Sequence, residues 1–128
     1  QDVFTKIDKV KDIILADNLA KDIQAILLFG SHVNGTVTKR SDIDLCVVFS
    51  SISSKEATKF KVRILGKSPK GIDLAVFNTL PKKIKIEIAK NHNIIFAKKD
   101  FDNLTFTIKE LKENDFFIRS KNIFGEIA

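Results

Sequence analysis

Three short apolar runs, QAILLF at 24–29, IDLCVVF at 43–49 and GIDLAVF at 71–77, constrain this 128-residue chain more than any other feature. Each is bounded by turn residues and too short for a buried helix, so each reads as a strand covered on both faces. A sheet covered on both faces needs helices on both sides. The intervening segments supply them. Residues 3–20 set Val3, Ile7, Val10 and Ile14 at helical spacing. The serines between 50 and 54 followed by Glu56 resemble a helix start, after which Ala57, Phe60 and Ile64 share one side until Gly66 and Pro69 end the segment.

Pro81 suits the first turn of a helix running to about Asn91, although IKIEI within it also alternates as a strand does. NIIFA at 93–97 reads as a fourth strand, and 102–122 as a terminal helix carrying Leu104, Ile108, Leu111 and Ile118. The expected fold class is therefore α/β (α+β), a small mixed sheet flanked by helices. One domain over 1–128 is expected, with its core at about 20–101 and a C-terminal helix over 102–128.

No apolar run approaches the roughly 20 residues that span a bilayer, and the charged N-terminus lacks the apolar stretch of a signal peptide, so a cytoplasmic protein is expected. Cys46 is the sole cysteine and lies between Leu45 and Val47, which predicts a buried, unreactive thiol. The net charge of +6 makes polyanions plausible partners: a nucleoside triphosphate, an acidic protein or nucleic acid.

Chemistry concentrates in GSHVNGTVTKRSDIDL at 30–45. Gly30 and Gly35 have the spacing of the glycines in a phosphate-binding P-loop, but Thr36 and Val37 follow in place of its lysine and hydroxyl, so that reading fails. A calcium loop fails as well, because Cys46 and Val48 stand where oxygen ligands are needed. What remains is a strand, a Gly-Ser turn and a second strand opening with alternating carboxylates. Asp42 and Asp44 then share a face, with α-carbons about 6–7 Å apart. Asp73, in GIDLAVF, repeats the Ile-Asp-Leu of the preceding strand and adds a third acid if the two strands are neighbours in register. Such a cluster suits Mg2+, a hard cation that prefers oxygen. Gly30 and Ser31, the latter as a helix cap, are placed to meet phosphate oxygens. Gly35 allows close backbone approach, and Thr36, Thr38 and Ser41 offer hydroxyls.

LLFGS at 27–31, Gly35, SDIDL at 41–45 and Asp73 together resemble the signature of the DNA polymerase beta nucleotidyltransferase superfamily, in particular its minimal nucleotidyltransferase branch. The resemblance covers roughly residues 20–101. It implies transfer of a nucleoside monophosphate, commonly AMP from ATP, to an acceptor hydroxyl with release of pyrophosphate. Asp42 and Asp44 would hold two Mg2+ ions, and Asp73 would share one and help to deprotonate the acceptor. Gly30, Ser31, Gly35, Ser41 and His32 would hold the nucleotide, His32 standing where many members carry a longer side chain. Minimal members are often paired with a HEPN-type toxin, so an antitoxin that modifies such a partner is the leading expectation. A homo-oligomer is the other source of a second subunit. A silent nucleotide-binding partner and an enzyme that extends RNA ends are the alternatives.

Overall fold

The computed structural model describes residues 2–38 and 41–112. Helix α1 (Val3–Leu15) leads through a short 3-10 turn into β1 (Ile23–Phe29), and a single helical turn, α2 (Ser31–Asn34), follows. Then come β2 (Ile43–Phe49), α3 (Ser54–Lys67), β3 (Ile72–Val76), a second 3-10 turn, α4 (Lys82–Lys90) and β4 (Asn93–Ala97). Residues 103–112 form a last helix, α5; the expected continuation to 122 lies outside the described residues.

The sheet has strand order β3-β2-β1-β4. Strand β1 pairs antiparallel with β2 and β4, while β2 and β3 run parallel, so the sheet is mixed as expected. A parallel pair needs a crossover, and α3 provides it. Its start has the capping-box pattern Ser-x-x-Glu: the Glu56 N–H donates to Ser53 Oγ at 3.1 Å, and the Ser53 hydroxyl donates to Glu56 Oε1 at 3.4 Å.

Alternation along the strands divides the core in two. Ile26, Leu28, Leu45, Val47, Leu74 and Val76 pack against Ile7, Val10 and Ile14 of α1 and Ala57, Phe60 and Ile64 of α3. On the opposite face Ala25, Leu27, Cys46 and Val48 meet Phe77, Ile88 and Phe106. Cys46 is wholly buried there, and burial pushes its thiol far above the usual range, which leaves it unreactive.

The ambiguous IKIEI segment is helical, because that conformation buries Ile86, Ile88 and Ala89 together on the sheet. Helix α5 turns a different face inward from its aliphatic stripe. Phe106 packs on Phe77 with ring centroids 4.9 Å apart and Glu110 is buried beside Lys82 at 3.6 Å, whereas Leu104 and Ile108 are exposed.

One ion pair ties α1 to α3. Asp17, buried just beyond α1, accepts from Arg63 Nε and Nη2 at 2.9 Å each and from the Leu19 N–H at 3.1 Å. The guanidinium hydrogen bonds hold its carboxyl below the usual range. A depressed native pKa contributes stability that is present above the unfolded value and lost as pH falls through the native one. Arg63→Ala, which leaves Asp17 buried and unpaired, is expected to cost about 2 kcal/mol at pH 7, or roughly 8 °C in Tm. The difference from the unmodified protein should narrow below about pH 4 as Asp17 takes up a proton, and thermal melts across pH 3–7 would measure it.

Candidate active site

The repeated Ile-Asp-Leu governs how the acids meet. Parallel pairing sets Ile43 opposite Ile72 and Asp44 opposite Asp73, with the isoleucines and leucines on one face and the aspartates on the other. Antiparallel pairing sets Phe29 opposite Asp44 on the other side. Asp44 therefore stands, half-buried, between the end of β1 and Asp73, which is exposed. Asp42 precedes β2, outside the ladder and exposed to solvent.

Gly30 makes room for this arrangement. At φ 76° and ψ −148° it occupies a region open essentially to glycine alone, and a Cβ built there would collide with Asp44 Oδ2. The chain thus turns directly against the carboxylate. Its carbonyl accepts the N–H groups of Val33 and Asn34, both at 3.0 Å, and Gly35 ends the turn in the left-handed conformation at φ 77°. Ser31 departs from the expected capping role: Gly30 holds the capping position, and Ser31 is the first residue of α2 without a side-chain cap bond. Ser41 serves the loop before Asp42, its Oγ accepting from the Thr38 N–H at 2.8 Å.

Burial is the main cause that raises the Asp44 carboxyl above its usual range, followed by the charges of Asp73 and Asp42. The nearby His32 opposes the rise. His32 Nδ1 is buried with no hydrogen-bond partner among the described residues. Among those residues no three His, Cys, Asp or Glu side chains close into a metal cage. Asp44 and Asp73 instead form an open pair. That fits Mg2+, which takes one or two carboxylates together with substrate phosphates in preference to an all-protein cage.

A cleft of about 190 Å3 adjoins Gly30, lined by Phe29, Asn34, Ile84, Glu87, Ile88 and Asn91. Glu87 and Asn91 lie one helical turn apart on α4 or just past its end, and the Asn91 amide donates to Asn34 Oδ1 across the cleft. No sequence signal singled out either residue, since a Glu and an Asn in a lysine-rich helix read as solvated surface. His92 has a structural place: its ring bonds the Ile88 carbonyl at 2.7 Å and Asn103 Oδ1 at 2.8 Å, joining α4 to α5.

The family model described as polymerase beta, nucleotidyltransferase matches residues 9–101. A "Putative protein adenylyltransferase" of Methanocaldococcus jannaschii is 44% identical over 72 residues, 56% of this chain, and the match spans 54% of that protein, about half its length. Among solved structures, a toxin-antitoxin crystal structure with AMP-PNP aligns at TM-score 0.71 and 20% identity, over 99% of this chain and all of the other. A complex of a tri-AMPylated Shewanella oneidensis HEPN toxin with an MNT antitoxin aligns at TM-score 0.70 and 15% identity, over 98% of each chain. Spectinomycin adenyltransferase AAD(9) of Enterococcus faecialis, with ATP and spectinomycin, aligns at 0.58 and 16% identity over 82% of this chain and 59% of its own. With more than half of its length matched by the family model, the chain belongs to the polymerase beta nucleotidyltransferase family.

Proposed function

We propose that this chain transfers AMP from ATP to a hydroxyl on a partner protein of the HEPN type, acting as the antitoxin of that pair. The observation that carries the reading is the in-register pairing of Asp44 with Asp73 beside Gly30. The adenylyltransferase relative, and the toxin-antitoxin structures that share the fold, support the choice of adenylyl group and partner.

The acceptor oxygen attacks the α-phosphorus, a new P–O bond forms, and the bond to pyrophosphate breaks. Asp73, the more exposed acid of the pair, takes the acceptor proton. Asp42, Asp44 and Asp73 are the residues that would hold Mg2+, which when bound would supply neutralisation of the charge on the reacting phosphoryl group. Gly30, Ser31, Gly35 and Ser41 border the phosphates, and His32 stands close enough to Asp44 to affect its charge. Since there is little covalent work for side chains in phosphoryl transfer, positioning and electrostatics supply the rate.

Incubation of the full chain with α-labelled ATP, Mg2+ and a host lysate tests the reading. Label on a protein that is lost with Asp44→Asn supports it, and label that survives the substitution refutes it. The expected fall is at least about 100-fold, the scale of removing one preorganised electrostatic group.

The same substitution has an opposite effect on stability. A raised native pKa means that ionised Asp44 destabilises the fold above the unfolded value, and the penalty vanishes as pH falls and both states become protonated. Asp44→Asn should therefore raise Tm by about 2–6 °C at pH 7.5 in EDTA, with no gain near pH 3. Differential scanning calorimetry would measure both.

Gly30→Ala should lose transfer and stability together, at a cost of about 1–3 kcal/mol, because its Cβ collides with Asp44 in a backbone region closed to alanine. Melting and transfer assays on one preparation would check the pairing.

A further inference from the structure

The cleft between α2 and α4 has no part in the metal and phosphate chemistry above, yet shares Gly30 with it. At about 190 Å3 it is smaller than the roughly 300–1,000 Å3 of sites that enclose a whole small ligand, so it suits one ring system rather than a complete nucleotide. Its walls are apolar: Phe29, Ile84 and Ile88. Its polar groups are the carboxylate of Glu87 and the paired amides of Asn34 and Asn91. Among the described residues no hydrogen bond or ion pair engages the Glu87 carboxylate.

That combination selects a ligand class. The carboxylate repels phosphate, so the cleft is not an extension of the phosphate site. A flat, neutral heterocycle places its faces on the apolar walls, and an exocyclic amine on it donates to Glu87. The amide of Asn34 keeps N–H groups for a ring nitrogen after accepting from Asn91. Asparagine and carboxylate side chains read the amine-bearing edges of bases in this manner.

We propose that this cleft is the subsite for the adenine of the nucleotide, with Glu87 as its specificity-determining residue. The proposal rests on the nucleotidyl-transfer reading and adds the base to it. Uracil, which lacks an exocyclic amine, leaves Glu87 unpaired and is discriminated against.

Calorimetry on the full chain with Mg2+ tests it, using ATP, purine riboside 5′-triphosphate, which lacks the 6-amine, and inorganic tripolyphosphate, which lacks the nucleoside. The unmodified protein should prefer ATP to the analogue by about tenfold, the scale of one good base contact. Glu87→Ala should bring that ratio to within about twofold, and Ile84→Trp, which fills the cleft, should weaken ATP about tenfold while leaving tripolyphosphate unchanged. Both positions are exposed on α4, so these variants should keep the fold. An undiminished preference in Glu87→Ala, equal affinity of the unmodified protein for ATP and the analogue, or a loss of tripolyphosphate binding in Ile84→Trp equal to that of ATP overturns the subsite. Tripolyphosphate binding as tightly as ATP removes the subsite and leaves the phosphate reading intact. No binding of either ligand removes both.

Discussion

Asp44 and Asp73 repel one another, and the parallel register of β2 and β3 holds them side by side regardless. Two unit charges 4 Å apart repel by about 1 kcal/mol in bulk water and by about 4 kcal/mol at an effective dielectric near 20. The register withstands this because slipping β3 by one residue would turn Leu74 and Val76, both buried, away from α3 and expose them. Losing two such side chains from the core costs about 3–6 kcal/mol, against about 1–4 kcal/mol for the repulsion. The hydrophobic face of each strand thus enforces the position of the acid on its other face.

Gly30 extends the same constraint to the neighbouring strand. With Phe29 opposite Asp44 in the ladder, the first residue after β1 meets the carboxylate, and only a residue without a Cβ can turn there. The turn then fixes α2, and α2 fixes where Asn34 meets Asn91 of the α4 end. The acid pair, the glycine turn and the cleft are consecutive consequences of one ladder, which is why they share a boundary at Gly30.

Much of this was legible because it depends on local pattern. Ile-Asp-Leu occurs twice, period-two alternation places the aspartates on one face, and equivalent apolar faces favour equal register. Ser53 with Glu56 marked the start of α3 for a similar reason: a capping box closes within four residues. Other features depend on approach between distant segments. IKIEI satisfies both periods, and only the sheet beneath it decides for the helix. The inward face of α5 is set by Phe77 and Lys82, so Phe106 and Glu110 face in rather than Leu104 and Ile108. Ser31 looked like a cap because it follows the strand-ending glycine, but Gly30 itself takes the capping position and Ser31 is the first residue of α2. Glu87 and Asn91 gain meaning only where α4 approaches α2, 57 residues apart in sequence at the Asn34–Asn91 contact.

The charges that stabilise this fold and those that burden it stand at opposite ends of one strand. Asp17, paired with Arg63, lies ahead of β1, and the acid pair lies beyond its end at Gly30. Seven residues of β1 at about 3.3 Å each place roughly 20 Å between them, more than twice the Debye length of about 8 Å at physiological salt. Interaction between the two sites is therefore small, and changes at each should act on stability independently. The acid pair can therefore change its charge without altering the ion pair that holds α1 to α3, because the buried core of the sheet stands between them.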